Sequence, residues 1–477
     1  MRTNIVLIFI LHTFFVGCSD SSNSIEVTIE PNPEQRYIHM NSNFGDVHPA
    51  YFNGELYMYY LNTDGNYQSD LSKSKDNFTF QDFRLNTDTE ARPYSVLYVF
   101  EDPKQKRYIS YHSTDGVVGN GILRGSVSTD LLNWKQMSNK YTVPEPKKPY
   151  KALKDPFVFW NDDTKSYWAV RTGRENDNVA WEFLYYTSND LTNWEDKGTL
   201  YLTDDVYGPI ECPQMFKFGE YWYLLYSEYL DRVGKPQYFV SKNPEGPYNL
   251  PDASNWLDGS DNCAAQVVDI NGELLLYGWI PFADVETIGY QGWGGPLALP
   301  RKLSQNADGV LFTSLPSSVS SAIRAEKLKT LVSELNLSSR GSDVTTETIL
   351  VDERRFDLNF NISSTINAES FGIILSTTEK EKQIETIIEI SNEQLIIKTG
   401  NIIHSSLKLA LETGEHNIRI ISDKDIIECF INNQYSLSAM VSRNIDKTDI
   451  KAYLKNGNIK ISNIEVFQLK NLSSSNM

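Results

Sequence analysis

At 477 residues the chain is long enough for two or more domains with substantial cores. A net charge of −18 with no dense Lys/Arg cluster excludes a broad nucleic-acid footprint and fits a soluble surface handling neutral ligands. The 27 Tyr, 22 Phe and 9 Trp residues, many in short alternating runs beside Gly, Asn and Asp turns, favour an all-β chain.

The N-terminus reads as a targeting segment, residues 1–17. Arg2 supplies a small basic region, and the apolar stretch Ile5 to Val16 is shorter than the about 20 residues that span a bilayer. It ends in Phe15-Val16-Gly17-Cys18, which resembles a bacterial lipobox and implies a lipid on Cys18 as the first mature residue. The alternative is an ordinary cleaved signal with an incidental Cys. On the first reading, residues 18–30 are a Ser-rich polar tether holding an exported cell-envelope protein to the membrane. The remaining cysteines, Cys212, Cys263 and Cys429, are odd in number and widely spaced, which gives neither a disulfide framework nor a metal-ligand spacing. They read as buried small thiols, and no metal or cofactor is implied.

From residue 31 to 316 the pattern is strand, turn, strand. Three hairpins carry an acid where their first strand begins. Asp46 precedes Ala50-Tyr51-Phe52, Asn53-Gly54 and Leu56 to Tyr60; Asp155 precedes Phe157 to Trp160; Glu211 precedes Gln214 to Phe218 and Gly219-Glu220. An acid at the same place in successive hairpins predicts a ring of similar units aiming carboxylates at one centre. One repeat is visible within the chain: Ser128-Thr129-Asp130-Leu131-Leu132-Asn133-Trp134 returns as Ser188-Asn189-Asp190-Leu191-Thr192-Asn193-Trp194, with a weaker echo at Ser74-Lys75-Asp76-Asn77-Phe78. First strands then start near residues 46, 92, 155, 211 and 262, a period of about 50 to 60 residues that predicts a five-bladed β-propeller. The stretch Trp293 to Arg301 is expected to close the ring. Residues 317–344 read as a linker with a short helix, and 345–470 as a second all-β domain, a two-sheet β-sandwich rich in Ile, Val and Thr alternation.

Glu211-Cys212-Pro213, Asp155-Pro156, the Trp293 to Arg301 stretch and Asp258-Gly259-Ser260-Asp261-Asn262-Cys263-Ala264, in that arrangement, resemble glycoside hydrolase family 32, the invertase, levanase and inulinase group. The strand pair around Asp423 to Asn432 resembles the end of that family's sandwich. The resemblance covers about residues 37 to 468 and implies a five-bladed propeller followed by a β-sandwich. It also assigns Asp46 as nucleophile, Glu211 as general acid/base and Asp155 as the third acid, which contacts sugar hydroxyls. Departures are specific. The family's Trp-Met-Asn-Asp-Pro-Asn-Gly is replaced by Asn43-Phe44-Gly45-Asp46-Val47-His48-Pro49, the Arg before the second acid is Lys154, and the small polar start of blade two is Arg92-Pro93-Tyr94-Ser95.

Each assignment has a structural counterpart. Asp46 could cap a turn before its strand. Asp155 could be a ring-lining residue, although adjacent strand residues face opposite ways and so a pairing with Lys154 is disfavoured. Glu is a poor turn former, and an unpaired acid ahead of a buried aromatic strand is costly, which favours a working Glu211. His48 lies two residues from Asp46, on the same face of an extended strand, where it either lines the sugar subsite or is a hydrogen-bonded structural His. Lys154 reaches a hydroxyl or points into its blade. Arg92 near the mouth of blade two is a candidate substrate ligand; Asp258 and Trp293 sit in family-like stretches near the cavity, Trp293 being equally suited to blade packing.

The resulting expectation is a retaining glycosidase acting on terminal β-fructofuranosyl bonds of sucrose or fructans, with an oligo- or polysaccharide as partner and the membrane reached through Cys18. Two alternatives stay open. The same chemistry could serve another furanose or complex polysaccharide fragment, or the protein could be a non-catalytic surface glycan-binding lipoprotein.

Overall fold

The computed structural model describes His39 and residues 44–471, apart from 63–68, 89–95, 114–122, 176–179, 204–207, 231–232, 253, 284–289, 293, 354, 365–367, 380–381 and 442–447. The expectations for residues 1–30 with Cys18, and for Arg92 and Trp293, therefore lie outside the described residues. Among those described, no helix is long and apolar enough to cross a membrane.

Five sheets, antiparallel apart from one parallel outer pair in the second, follow one another along the chain, each running outward strand by strand from a first, innermost strand. Those innermost strands are Phe44–Phe52, Tyr98–Glu101, Tyr150–Asn161, Ile210–Phe218 and Cys263–Ile270. They are the five blades of a propeller. Asn-Gly pairs with positive φ at both residues, Asn53-Gly54 and Asn271-Gly272, make the two-residue hairpins of blades one and five. The ring closes where Phe44 exchanges two 2.9 Å backbone hydrogen bonds with Gly295, inside the stretch expected to close it.

The Ser-x-Asp repeat is the outer turn of a blade. In three blades the serine hydroxyl accepts from the residue three positions on: Asn77 N–H at 2.9 Å, Leu131 N–H at 2.9 Å and Leu191 N–H at 3.0 Å. In each, the aspartate accepts the N–H three residues further along at 2.8 Å. This side-chain capping holds the residue between them at φ 72°, 66° and 65°. Its carbonyl is thereby turned toward the preceding blade, where a buried tyrosine of the second strand donates to it. Tyr59 bonds Leu131 at 2.9 Å, Tyr111 bonds Leu191 at 3.0 Å, and Tyr277 of blade five reaches Asn77 of blade one at 2.6 Å. Gly309, at φ 82°, takes the same bond from Tyr223 at 2.9 Å. Four of the five blade contacts thus share one tyrosine device, each worth about 1 kcal/mol beyond the ring's packing.

The second domain is a nearly closed sandwich made from one 11-stranded hydrogen-bonded sheet. Strands Leu335–Glu353 and Thr448–Leu469 run antiparallel through both layers, bending where their register shifts near Ser339/Val344, opposite Asn456 and Gly457 at positive φ. Ile, Leu and Phe side chains from both layers fill its core. The expected linker is mostly sandwich. After the short helix Ser317–Ile323, strand Arg324–Leu328 and the start of Leu335–Glu353 already pair with Thr448–Leu469. The misreading has a physical cause: these strands are edge-like and solvated on one face, so their sequence lacks the apolar run of a core strand.

Propeller and sandwich meet over an enclosed charge network. The Arg301 guanidinium bonds Asp258 at 3.0 and 3.1 Å and also Glu428 and Ser438, all with buried side chains. Asp258 further accepts from the backbone N–H groups of Gly259 at 2.7 Å and Ser438 at 2.9 Å. Its side chain is 0% exposed. The expectation that Asp258 touches substrate is therefore corrected: it is a joint between domains. His39 sits between Glu428 at 2.7 Å and Asp423 at 3.1 Å. Burial opposes its charge, but the two carboxylates outweigh that and raise its pKa. Asp423 also accepts from Arg355 at 2.6 Å.

Removing one member of such a network strands the other charges in a dry interface. Arg301→Leu is expected to lower unfolding stability by about 3–5 kcal/mol in denaturant titrations. Asp258→Asn should likewise lower the melting temperature while leaving KM of the folded protein unchanged; a raised KM at unchanged melting temperature would restore Asp258 to the substrate site.

Candidate active site

Four of the innermost strands break their ladder at the same point. Register shifts fall between Gly45 and His48, Lys154 and Phe157, Glu211 and Gln214, and Cys263 and Gln266. In each, two residues oppose one on the neighbouring strand, a β-bulge that redirects side chains. The first bulge positions are Asp46, Asp155, Cys212 and Ala264, and three of these carry the same left-handed backbone: φ 41° at Asp46, 52° at Cys212 and 47° at Ala264. Such a conformation is strained for non-glycine residues and is held by the surrounding sheet.

This corrects the idea that all three acids occupy equivalent positions. Asp46 and Asp155 do; Glu211 stands one residue earlier, in the slot that Lys154 fills in blade three. Because the blades are adjacent, the two equivalent slots face each other, and Lys154 Nζ lies 2.8 Å from Glu211 Oε1. Asp155 is held separately, its Oδ2 accepting the Cys212 N–H at 2.9 Å. The inner strands are further laced by Gln266, whose amide donates to Cys212 O at 2.7 Å, and by Gln214, which exchanges bonds with Val267 at 2.6 and 2.7 Å.

The electrostatics follow from crowding negative charge into a space with little water. Burial, then the charges of Asp155 and Glu211, push the Asp46 carboxyl well above the usual carboxylate range, against the opposing pull of Lys154. Burial and then Asp155 also raise Glu211, and Lys154 offsets part of the rise. Lys154 keeps its charge, since the surrounding carboxylates more than offset its own burial. Among the described residues, Asp46 Oδ1 is buried without a hydrogen-bond partner. A buried acceptor left open beside a second carboxyl of raised pKa is the arrangement expected where a ligand completes the bonding.

His48 is packed inside the fold rather than lining the expected subsite. Its Nε2 faces Val99 O at 3.2 Å, its ring packs on Tyr98 and Phe157 at centroid distances of 5.1 and 6.2 Å, and burial holds its pKa down to about 4. The alternation argument that placed it beside Asp46 assumed an unbroken strand, and the bulge at Asp46-Val47 breaks that alternation. Two residues next to the acids escaped the sequence reading. Cys212 is a buried thiol in the midst of Asp46, Asp155 and Glu211, one of three free cysteines among the described residues, all buried. Tyr229 is the penultimate residue of the strand Tyr221–Leu230, with its hydroxyl buried. Its one sequence signal was a glycine, Gly234, directly across the hairpin.

Comparison with known proteins places this geometry. The glycosyl hydrolases family 32 N-terminal domain matches residues 48–314, beginning just after Asp46, and the family 32 C-terminal domain matches 320–468. An extracellular exo-inulinase of Aspergillus ficuum is 25% identical over 337 residues, 60% of this chain and 60% of that protein. The chain thus spans about three fifths of the length of that relative. Among solved structures, the β-fructofuranosidase of Aspergillus kawachii, complexed with glycerol, superposes with a TM-score of 0.74 at 16% identity, covering 93% of this chain and 96% of that one. A β-fructofuranosidase of Bombyx mori gives 0.68 at 17% identity, over 92% and 95%. These structural likenesses are of fold. Because one family's two domains together account for nearly all of residues 48–468, the chain belongs to glycosyl hydrolase family 32.

Proposed function

We propose that the protein is a retaining glycosidase that removes terminal β-fructofuranosyl units from sucrose or from fructans such as levan and inulin. The observation that carries this reading is the open, buried Oδ1 of Asp46 set beside Glu211, two carboxyls with raised pKa values sharing one ammonium. A retaining mechanism uses two such carboxyls, about 5–5.5 Å apart, on opposite sides of the scissile bond. Asp46 attacks the anomeric carbon as the glycosidic C–O bond breaks, and Glu211 gives its proton to the departing oxygen. Water then cleaves the Asp46–sugar ester, and Glu211 takes the proton from that water, restoring both groups. Asp155, fixed by the Cys212 N–H, is placed to bond sugar hydroxyls as positive charge develops on the ring. The family membership, the exo-inulinase relatives and a Bombyx mori relative solved with sucrose support fructose as the sugar.

The substrate reading has one competitor with a specific basis. Lys154 offers a point charge where a planar, bidentate arginine stands in the resembled motif, and it is engaged with Glu211. That difference favours a substrate whose hydroxyl pattern departs from that of sucrose, such as another furanose or a complex polysaccharide fragment. We also propose export, with Cys18 as lipid anchor, supported by the apolar leader of residues 5–16 and by the extracellular relatives. Incubation with sucrose, levan, inulin and a panel of aryl furanosides separates the readings. Fructose release supports the first, activity confined to other furanosides supports the second, and glycan binding without turnover supports a non-catalytic receptor.

Glu211→Gln and Asp46→Asn are each expected to lower turnover at least ~100-fold with the fold retained, and near-normal rates in either variant would refute its role. Lys154 lowers the pKa of both carboxyls, so Lys154→Met should raise both. The acid limb of kcat/KM reports ionisation of Asp46 and the alkaline limb deprotonation of Glu211, and both limbs should move to higher pH. Limbs that stay in place, or move down, would show that Lys154 does not tune the pair.

A further inference from the structure

Tyr229 is a polar group in the same wall as the acids that the double displacement does not use. It follows Glu228, which pairs with Ile210 across the hairpin, and its N–H donates to Pro209 O at 2.8 Å. Glu211 is paired with Ser227, and no register shift separates that pair from the strand end where Tyr229 lies. Cross-strand partners share a face, and so do residues two apart. Tyr229 is therefore on the face of Glu211, one step further toward the mouth of the blade.

The packing brings the ring inward. It lies over Gly234, where a Cβ would come within 2.7 Å of the ring, so the glycine is what lets the tyrosine fold down. Gly234 is fixed in turn by two contacts with the Cys263 thiol at 3.3 and 3.4 Å, which leaves that sulfur engaged elsewhere. The ring also packs against the cluster containing Phe44, Val47, Cys212, Cys263 and Ala264, residues in or beside the bulges of blades one, four and five. The charges that would oppose ionisation of the hydroxyl, after burial itself, are those of Cys212, Asp46, Cys263 and Glu211. The hydroxyl thus remains a neutral donor.

Among the described residues this hydroxyl is buried and has no hydrogen-bond partner, and Asp46 Oδ1 nearby is in the same state. An unmet buried donor and an unmet buried acceptor, within electrostatic reach of each other and not bonded to each other, call for a ligand that carries both an acceptor and a reacting centre. We propose that Tyr229 is a substrate contact of this site, its hydroxyl donating a hydrogen bond to an oxygen of the sugar bound against Asp46. The assignment rests on the glycosidase reading above and adds to it a specificity-determining residue from blade four.

The test is Tyr229→Phe, which keeps the ring over Gly234 and removes only the hydroxyl. Wild type and variant are compared on the same panel of sucrose, fructans and aryl furanosides, with melting temperatures measured in parallel. The expected result is a fall in kcat/KM of roughly ten- to a hundred-fold on the best substrate, with an unchanged or higher melting temperature because an unmet buried donor is gone. Among mono-deoxy analogues of that substrate, the one lacking the bonded oxygen should be hydrolysed equally by both proteins. Equal kcat/KM on every substrate would overturn the assignment. A melting temperature lowered by several degrees would overturn it too, since it would mean that the hydroxyl serves the fold. Silence of the wild type on the whole panel would bring down the glycosidase reading and this assignment with it, whereas an active wild type with an equally active variant brings down this assignment alone.

Discussion

Confining three carboxylates around one ammonium is the constraint on which the rest of this structure depends. In water, like charges a few ångströms apart repel by about 1 kcal/mol, and the repulsion grows several-fold where solvent is excluded. The chain answers largely with position. Asp155 is anchored on a backbone N–H, Glu211 on Lys154, and Asp46 keeps an oxygen open. Burial and mutual repulsion then raise Asp46 and Glu211, so that the group holds a proton more tightly than free carboxyls would. A coupled pair of this kind titrates as a unit, and one proton shared between two carboxyls is the state that the proposed double displacement would start from.

The propeller makes that confinement possible. Each blade brings its innermost strand to the axis, and in four of the five a bulge at a fixed height redirects the side chain there toward the centre instead of into the blade. The cost of left-handed backbone at Asp46 and Cys212 is borne by the ring around them. That ring is tied by a tyrosine hydroxyl in four of its five blade contacts, including the one that joins the last blade to the first. The sandwich is locked on through Arg301, Asp258, Glu428 and His39, a network with no exposed side chain, which makes it a buttress for blade five.

Much of this was legible in the sequence because it depends on short-range patterns. Asn-Gly hairpins, the Ser-x-Asp outer turns and the spacing of first strands fixed the blade count, since each is a local device repeated at a regular interval. The acids were legible because a carboxylate before a buried aromatic strand needs a reason to be there. What escaped depended on geometry that alternation cannot encode. A bulge shifts the face of everything beyond it, so His48 reads as site-facing and is packing, and Glu211 reads as equivalent to Asp155 while it is equivalent to Lys154. Asp258 is a polar residue whose partners include an arginine 43 residues on and a serine in another domain, pairings with no sequence signature. Tyr229 was one aromatic among many, singled out only by the glycine across from it.

On the proposed mechanism, Asp46 carries the sugar between two chemical steps while Glu211 moves the proton. Trapping tests it directly. Glu211→Gln, given an activated aryl β-fructofuranoside whose leaving group needs no acid, should form the covalent intermediate and then fail to hydrolyse it. Intact-mass and peptide analysis of the quenched protein is expected to show one hexose unit attached, on the peptide containing Asp46. A hexose on another carboxylate, or a first-released sugar of inverted anomeric configuration with no adduct at all, would contradict the account.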